Sequence, residues 1–245
     1  MLNPNLPNEK INVLVLSPQY SNIINELNKL KIQTISTVEA SDLPFNERFH
    51  ADMQIHNIIG EACFLRNSCS MLKSELETVS PDITILTEDK MLSEYPHNIS
   101  LNGAFIGDYY ICKKSHSNEE LLRLYIKNGI KIINVNQGYA KCSTAIISHN
   151  AIITDDEAIY NECTKLKTID VLKISKGSVR LDGYDYGFIG GCCMKLDKST
   201  LAFCGDAKNH SDYDNIKAFC KNQGVELLSL SNKPLVDIGG AVAVI

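Results

Sequence analysis

Apolar and polar positions along this chain alternate in a recurring order. A short apolar run is followed by a turn and a second short run. A stretch with apolar residues at helical spacing comes next, and then a third apolar run. The clearest copy lies near the C-terminus. Residues 187–196 are apolar, Asp197 and Lys198 form a turn, and residues 199–204 make a second strand. Asn209 and Ser211 offer N-cap oxygens to a helix whose apolar positions Ile216, Phe219 and Cys220 fall on one face. Gly224 sits where a helix-ending glycine belongs, and residues 225–230 form the third strand.

The same order recurs upstream. Residues 97–107, 109–113, 118–128 and 130–135 predict strand, strand, helix and strand, with Gly129 ending the helix. Residues 138–147, 151–154, 156–165 and 169–174 predict another copy, in which Asp155 and Asp156 start the helix. A further copy begins at His50 and continues through 62–66, 70–78 and 83–86. The N-terminus supplies strand 11–16, helix 20–30 and strand 32–38, and lacks only a first strand. The C-terminal run 236–245 supplies one. Pairing the two ends completes a fifth unit and leaves no open sheet edge. Cys142, Gly191 and Gly240 recur every 49 residues, Asn102 precedes Cys142 by 40, and Gln54 precedes Asn102 by 48. Repeats of this length each hold one small αβ module. An open doubly wound sheet is the alternative, but its units would lack the extra hairpin strand. No linker or low-complexity tract interrupts the 245 residues, so one domain spanning 1–245 is expected.

Composition narrows the function classes. A net charge of −5 argues against a broad nucleic-acid face. No stretch approaches a membrane span, and the first ten residues lack a basic start and apolar run, so no secretion signal is expected. The nine cysteines include no Cys-x-x-Cys pair. Reduced core thiols in a cytoplasmic protein fit this pattern best, and a zinc site is not expected. No phosphate-cradling glycine loop is present, so no nucleotide cofactor is expected. The oligomeric state is not legible.

The repeat and its Gly-Gly inner strands resemble the pentein superfamily of guanidino-group-modifying enzymes, which includes arginine and agmatine deiminases, dimethylargininase and glycine amidinotransferase. Residues 50–54 (HADMQ), 95–98 (YPHN), 137–143 (QGYAKCS), 186–191 (YGFIGG) and 235–239 (LVDIG) are similar to a clostridial-type bacterial family of that fold without an assigned reaction. The resemblance implies an α/β fold, a five-bladed α/β propeller with an axial site. One departure is plain. The characterised enzymes carry their nucleophilic cysteine after the glycines of the last inner strand, where this chain reads Gly239-Gly240-Ala241-Val242-Ala243.

In such a fold the first strand of each unit faces the axis, so its polar residues share one pocket. Guanidino chemistry needs carboxylates that grip a planar cation, a thiolate that attacks its central carbon, and a histidine that moves protons. Cys142, His50 and Asp52 are the candidate catalytic set, with His50 and Asp52 two apart on one strand face. Gln54, Asn98, Asn102, Gln137, Lys141, Ser143, Asp185 and Asp237 are the candidate substrate-binding set. Lys141 or a bound cation would lower the Cys142 pKa, although adjacent strand residues point to opposite faces. Each has a structural reading as well. Cys142 could be a core residue, His50 and Asp52 could bond each other, and Asp185 and Asp237 could cap loops. Cys192 and Cys193 are expected in the core. The leading expectation is a thiol-dependent hydrolase or transferase acting on a guanidino or amidino small molecule. The alternative is a non-catalytic binding protein, similar to the ribosome anti-association factor of this fold or binding a small ligand.

Overall fold

The repeating pattern becomes five small sheets of three strands each. The computed structural model describes residues 3–88 and 93–244. The first sheet draws on both ends of the chain: β1 (Val13–Leu16), α1 (Ser21–Lys29) and β2 (Gln33–Ser36) are joined by the last strand, β15 (Ala241–Ala243). The second holds β3 (Ile55–Ile58), β4 (Ala62–Arg66), α3 (Ser70–Val79) and β5 (Ile85–Glu88), preceded by the short helix α2 (Ala51–Gln54). The third holds β6 (Ala104–Ile106), β7 (Tyr109–Cys112), α4 (Glu119–Lys127) and β8 (Lys131–Asn134). The fourth holds β9 (Thr144–Ser148), β10 (Ala151–Thr154), α5 (Glu157–Thr164) and β11 (Asp170–Lys173). The fifth holds β12 (Cys193–Lys195), β13 (Thr200–Phe203), α6 (Tyr213–Asn222) and β14 (Glu226–Ser229). The last residue of the expected C-terminal strand, Ile245, lies outside the described residues.

Every unit has one wiring. A tight hairpin makes the first pair antiparallel, and the helix crossover makes the second pair parallel. The N-terminal unit obeys the same rule with its two halves at opposite chain ends: β1 pairs antiparallel with β15 and parallel with β2. The helices end as their glycines predict. Gly129 and Gly224 follow α4 and α6 at φ of 80° and 68°. The start of α6 differs from expectation. Its N-cap is Asp212, because residues 207–209 form a separate 3₁₀ turn capped by Asp206, and Ser211 is bonded to Ser178.

Apolar residues gather in five clusters, each shared by two sheets. Val15 and Ile35 pack with Ile55 and Leu65. Phe64 packs with Phe105 and Tyr110, and Ile111 with Ile146 and Ile152. Ile147 and Ile153 pack with Leu201 and Phe203, and Met194 and Ala202 with Leu14 and Ala241. Each sheet therefore contributes to two clusters.

The first strands are shorter than the apolar runs that announced them. Regular pairing begins only at residues 55, 104, 144, 193 and 241. The preceding segments bond across the centre instead. Asp52 N–H donates to Gly239 O at 3.0 Å, Gly191 N–H donates to Cys142 O at 3.1 Å, and Ile238 and Gly240 both donate to Gly191 O at 3.0 Å. Backbones can interlace this closely only where side chains are missing. A Cβ on Gly191 would lie 2.0 Å from Asp237 Oδ1, and one on Gly239 would lie 2.2 Å from His50 Cγ.

Candidate active site

The five interlaced segments carry nearly all the polar residues singled out from the sequence. His50 and Asp52 are not on a strand: His50 is the N-cap of α2 and Asp52 lies in its single turn. Residues 139–143 form another helical turn, with Ser143 N–H bonded to Tyr139 O at 2.9 Å, and this turn carries Cys142.

At the centre the Cys142 thiol donates to Asp52 Oδ2 at 2.8 Å. Asn102 ties the two segments together. Its Nδ2 donates to Cys142 Sγ at 3.1 Å and to Asp52 O at 3.3 Å, while its Oδ1 accepts from Lys141 N–H at 2.9 Å. Asp52 Oδ1 has no protein partner despite its burial. Desolvation by burial raises the Asp52 carboxyl to about 6; neighbouring His50 opposes the rise and the charge of Asp237 adds to it. Burial also pushes the Cys142 thiol well up, helped by the charge of Asp52. The expected lowering by Lys141 is therefore corrected. Lys141 is not among the groups that shift the thiol, and it lines a small void with Leu14, Cys193 and Lys195.

A cavity of about 290 Å³ opens onto Cys142, and His50, Glu47, Asp185 and Asp237 also line it. Its remaining walls are Tyr139, Leu181, Tyr184, Tyr186 and Phe188. Burial sets the depth of each group. Asp237 and Cys142 are 1% and 3% exposed, so they form the floor. Glu47 is 5% exposed and forms a wall, while Tyr184, at 45%, and Asp185 stand at the mouth. Asp237 also caps a loop, accepting from Phe188 N–H and Gly239 N–H at 2.9 Å each.

The other expected site residues hold this cavity from behind. Gln54 donates to Val38 O and Arg48 O at 2.6 Å each, which fixes the 3₁₀ turn Phe45–Glu47. Gln137 accepts from Tyr139 N–H at 3.0 Å and donates to Asp156 Oδ2 at 2.9 Å, tying the Tyr139 loop to the start of α5. Asn98 donates to Tyr139 Oη at 3.2 Å. Asp52, Gln54, Asn98, Asn102, Gln137, Lys141 and Ser143 are not among the residues that line the cavity, although Asp52 reaches it through its bond to Cys142. The Ser143 hydroxyl is buried without a partner.

Sequence reasoning missed Glu47 and the aromatic wall. Glu47 lies outside the repeat, in the connection leading into the second unit. It accepts from Tyr184 Oη at 2.5 Å and from Tyr139 Oη at 3.3 Å. Only its burial marks it, since a carboxylate is rarely so enclosed without a task or a partner. Tyr139 and Phe188 stack with ring centroids 6.2 Å apart.

This fold is shared with enzymes that modify guanidino groups. Inosamine-phosphate amidinotransferase from Streptomyces griseus superposes with a TM-score of 0.60 at 8% identity, covering 98% of this chain and 95% of that one. DDAH from Pseudomonas aeruginosa, solved as a Cys-to-Ser variant complexed with citrulline, gives 0.57 at 7% identity, covering 96% and 99%. Agmatine deiminase from C. jejuni with substrate bound gives 0.57 at 12% identity, covering 98% and 96%. Five small three-stranded sheets in a mixed α/β chain match the pentein fold of these proteins; at such identities the likeness is one of fold. The chain itself belongs to a family of unknown function (DUF6873), whose profile matches residues 15–242. None of the curated proteins matches it by sequence. Among the described residues no helix is long and apolar enough to cross a membrane.

Proposed function

We propose that residues 1–245 form one domain whose five sheets close as a five-bladed α/β propeller. On this reading its central cavity carries thiol-dependent hydrolase or transferase chemistry on a guanidino or amidino small molecule. Closure is supported by the β1–β15 pairing and by the sharing of every apolar cluster between two sheets. The buried, unpaired state of all nine cysteines fits a reducing cytoplasm.

One observation carries the functional reading. The cavity holds Cys142 and His50 beside three carboxylates, Glu47, Asp185 and Asp237, and among the described residues no lysine or arginine lines it. Such a site is built for a cation, and its flat aromatic walls suit a planar one. In the resting site the thiol keeps its proton. A guanidinium against Sγ favours the thiolate, and Asp52, already bonded to that proton, receives it. Sulfur then bonds to the guanidino carbon. The carbon–nitrogen bond breaks, and the leaving amine takes a proton from Asp52 or His50. Water releases a ureido product and the free thiol, or an acceptor amine takes the amidino group. Asn102 holds Cys142 and Asp52 together throughout.

A second reading is a non-catalytic binding protein of the same fold, either resembling the ribosome anti-association factor or holding a small ligand. The strongly raised Cys142 thiol favours it, as does the lack of a cysteine in β15. Intact-mass measurement during incubation with a panel of guanidino compounds decides between them. The enzyme reading expects ammonia or amine release and a transient amidino adduct mapped to Cys142, both lost in Cys142→Ser. Ligand binding with neither adduct nor release leaves only the binding reading.

A further inference from the structure

The inner strands have a second end, away from the thiol. Cys142 precedes β9 and His149 follows it, so the hairpin turns lie beyond a strand roughly 16 Å long. There the turns of the third, fourth and fifth sheets and the N-terminal segment enclose a groove of about 870 Å³. Asn3 and Asn5 pin that segment in place, donating to Phe105 O at 3.0 and 3.1 Å. Leu6, Pro7 and Ile130, each half-buried, give the groove an apolar side.

Four of the lining side chains can carry charge: Asp108, His149, Lys195 and Lys198. Asp108 and His149 face each other at 3.7 Å, which leaves the two lysines. Neither lysine has an ion pair among the described residues. Lys195 is only 6% exposed. Its Nζ donates to Lys198 O at 2.7 Å, and among the described residues no other acceptor takes its remaining hydrogens. Burial lowers its ammonium to about 8, with Asp197 opposing, so it stays charged at neutral pH. Asp197 itself accepts from Ser199 N–H at 2.7 Å and does not line the groove. Behind Lys195 lies the void of about 20 Å³ that Lys141 also lines, with room for one water. The charge of Lys141 acts on Asp52 without an ion pair. Among the described residues Lys195 alone lines both the void and the groove. An ammonium so enclosed ordinarily has a carboxylate beside it.

We propose that this groove is a second ligand site, independent of the guanidino reading, and that it takes a small organic acid. The carboxylate sits on the Lys195 ammonium, with Lys198 at the rim, and the apolar body lies against Leu6, Pro7 and Ile130. The volume falls within the usual range for a small-molecule site. One buried ammonium offsets one negative charge. A phosphate dianion would bring a second, and would also meet Asp108.

Titration of the isotope-labelled whole chain with hexanoate, hexanamide, hexylamine and inorganic phosphate, followed by amide NMR, tests this. Hexanoate is expected to shift residues 147–150 and 195–199 and to bind about tenfold tighter than hexanamide. Hexylamine should not displace it. Lys195→Met keeps the stem without the charge and should bring hexanoate and hexanamide toward parity. Lys198→Glu, an exposed change, should weaken hexanoate by about threefold. Equal binding of hexanamide and hexanoate would overturn the proposal, as would phosphate binding more tightly than hexanoate. Shifts confined to the cavity at Cys142, or no shift at millimolar hexanoate, would overturn it too. A hexanoate preference unchanged in Lys195→Met has the same force. If Lys195→Met does not melt cooperatively, Lys198→Glu decides, and unchanged hexanoate affinity there overturns the site.

Discussion

Asp52 has the least ordinary environment of any residue near the cavity. It is enclosed, one of its oxygens holds the Cys142 proton, and the other has no partner. Burial holds its carboxyl at about 6, above the ordinary 3.8. Between those values the folded chain keeps a proton that the unfolded chain has released. The stability this group contributes is therefore present at low pH, declines as pH rises toward about 6, and is level beyond. The loss is on the order of 3 kcal/mol for a shift of this size. Asp155 is raised by burial in the same range, so the comparison must be against a variant. Asp52→Asn should remove part of the decline in urea midpoint between about pH 4 and pH 7. Parallel curves for the two proteins would show that Asp52 ionises freely in the folded state. Residue type and repeat position nominated Cys142 and Asp52, which the fold brings into contact. Glu47 was not nominated, because nothing local distinguishes it from any surface glutamate until Tyr184 and Tyr139 close over it.

At the scale of elements, the site is made by what precedes the inner strands. Apolar composition marks these segments as strands, yet positive φ at Gly239 and Gly240 bends the last of them and the others bond across the centre. The glycines set how near the segments come. Gly239→Ala would combine a left-handed backbone at φ 75° with a Cβ 2.2 Å from His50. Gly60→Ala would place alanine at φ 80° with nothing within 4 Å. The second change should cost about 1–2 kcal/mol, the conformational term alone. The first should cost clearly more, and it should also disturb His50. Urea denaturation of both variants measures the difference. Equal costs would mean that α2 shifts freely and does not hold His50 in place. The same reasoning explains the longer helices, whose boundaries were readable to within a residue or two from caps and glycines, whereas the short α2 was read as strand. The start of α6 was not readable, because Asp206 and Ser178 draw the preceding turn into contacts made far along the chain.

Across the whole molecule, the strand shared by the two ends has the widest reach. β15 fills the open edge of β1 and contributes Ala241 and Ala243 to one apolar cluster and Val242 to another. A chain stopped before Ala241 should expose a sheet edge and open both clusters. We expect it to lose its cooperative thermal transition and to associate through the β1 edge, as read by calorimetry and sedimentation. A truncated chain with an unchanged, monomeric melt would show that the ends do not need each other, and would remove the main support for a closed propeller.

The repeat, the five-sheet plan and the joining of the termini were determined by sequence alone. Short-range hydrophobic period and turn chemistry report local backbone preference, and five similar reports imply one architecture. The residues of the site were determined only as a pool. Residue type could nominate Asn102, Gln54, Gln137 and Asp237, but it could not separate the groups that face the cavity from those that brace it. That division depends on a bond or two between segments 40 or more residues apart, such as Asn102 to Cys142 and Asp52. The protonation of Cys142 was decided in the same way. Sequence proximity suggested Lys141 as its neighbour, whereas burial and Asp52 surround the thiol. Desolvation is a property of the packed whole, and no single stretch of chain carries it.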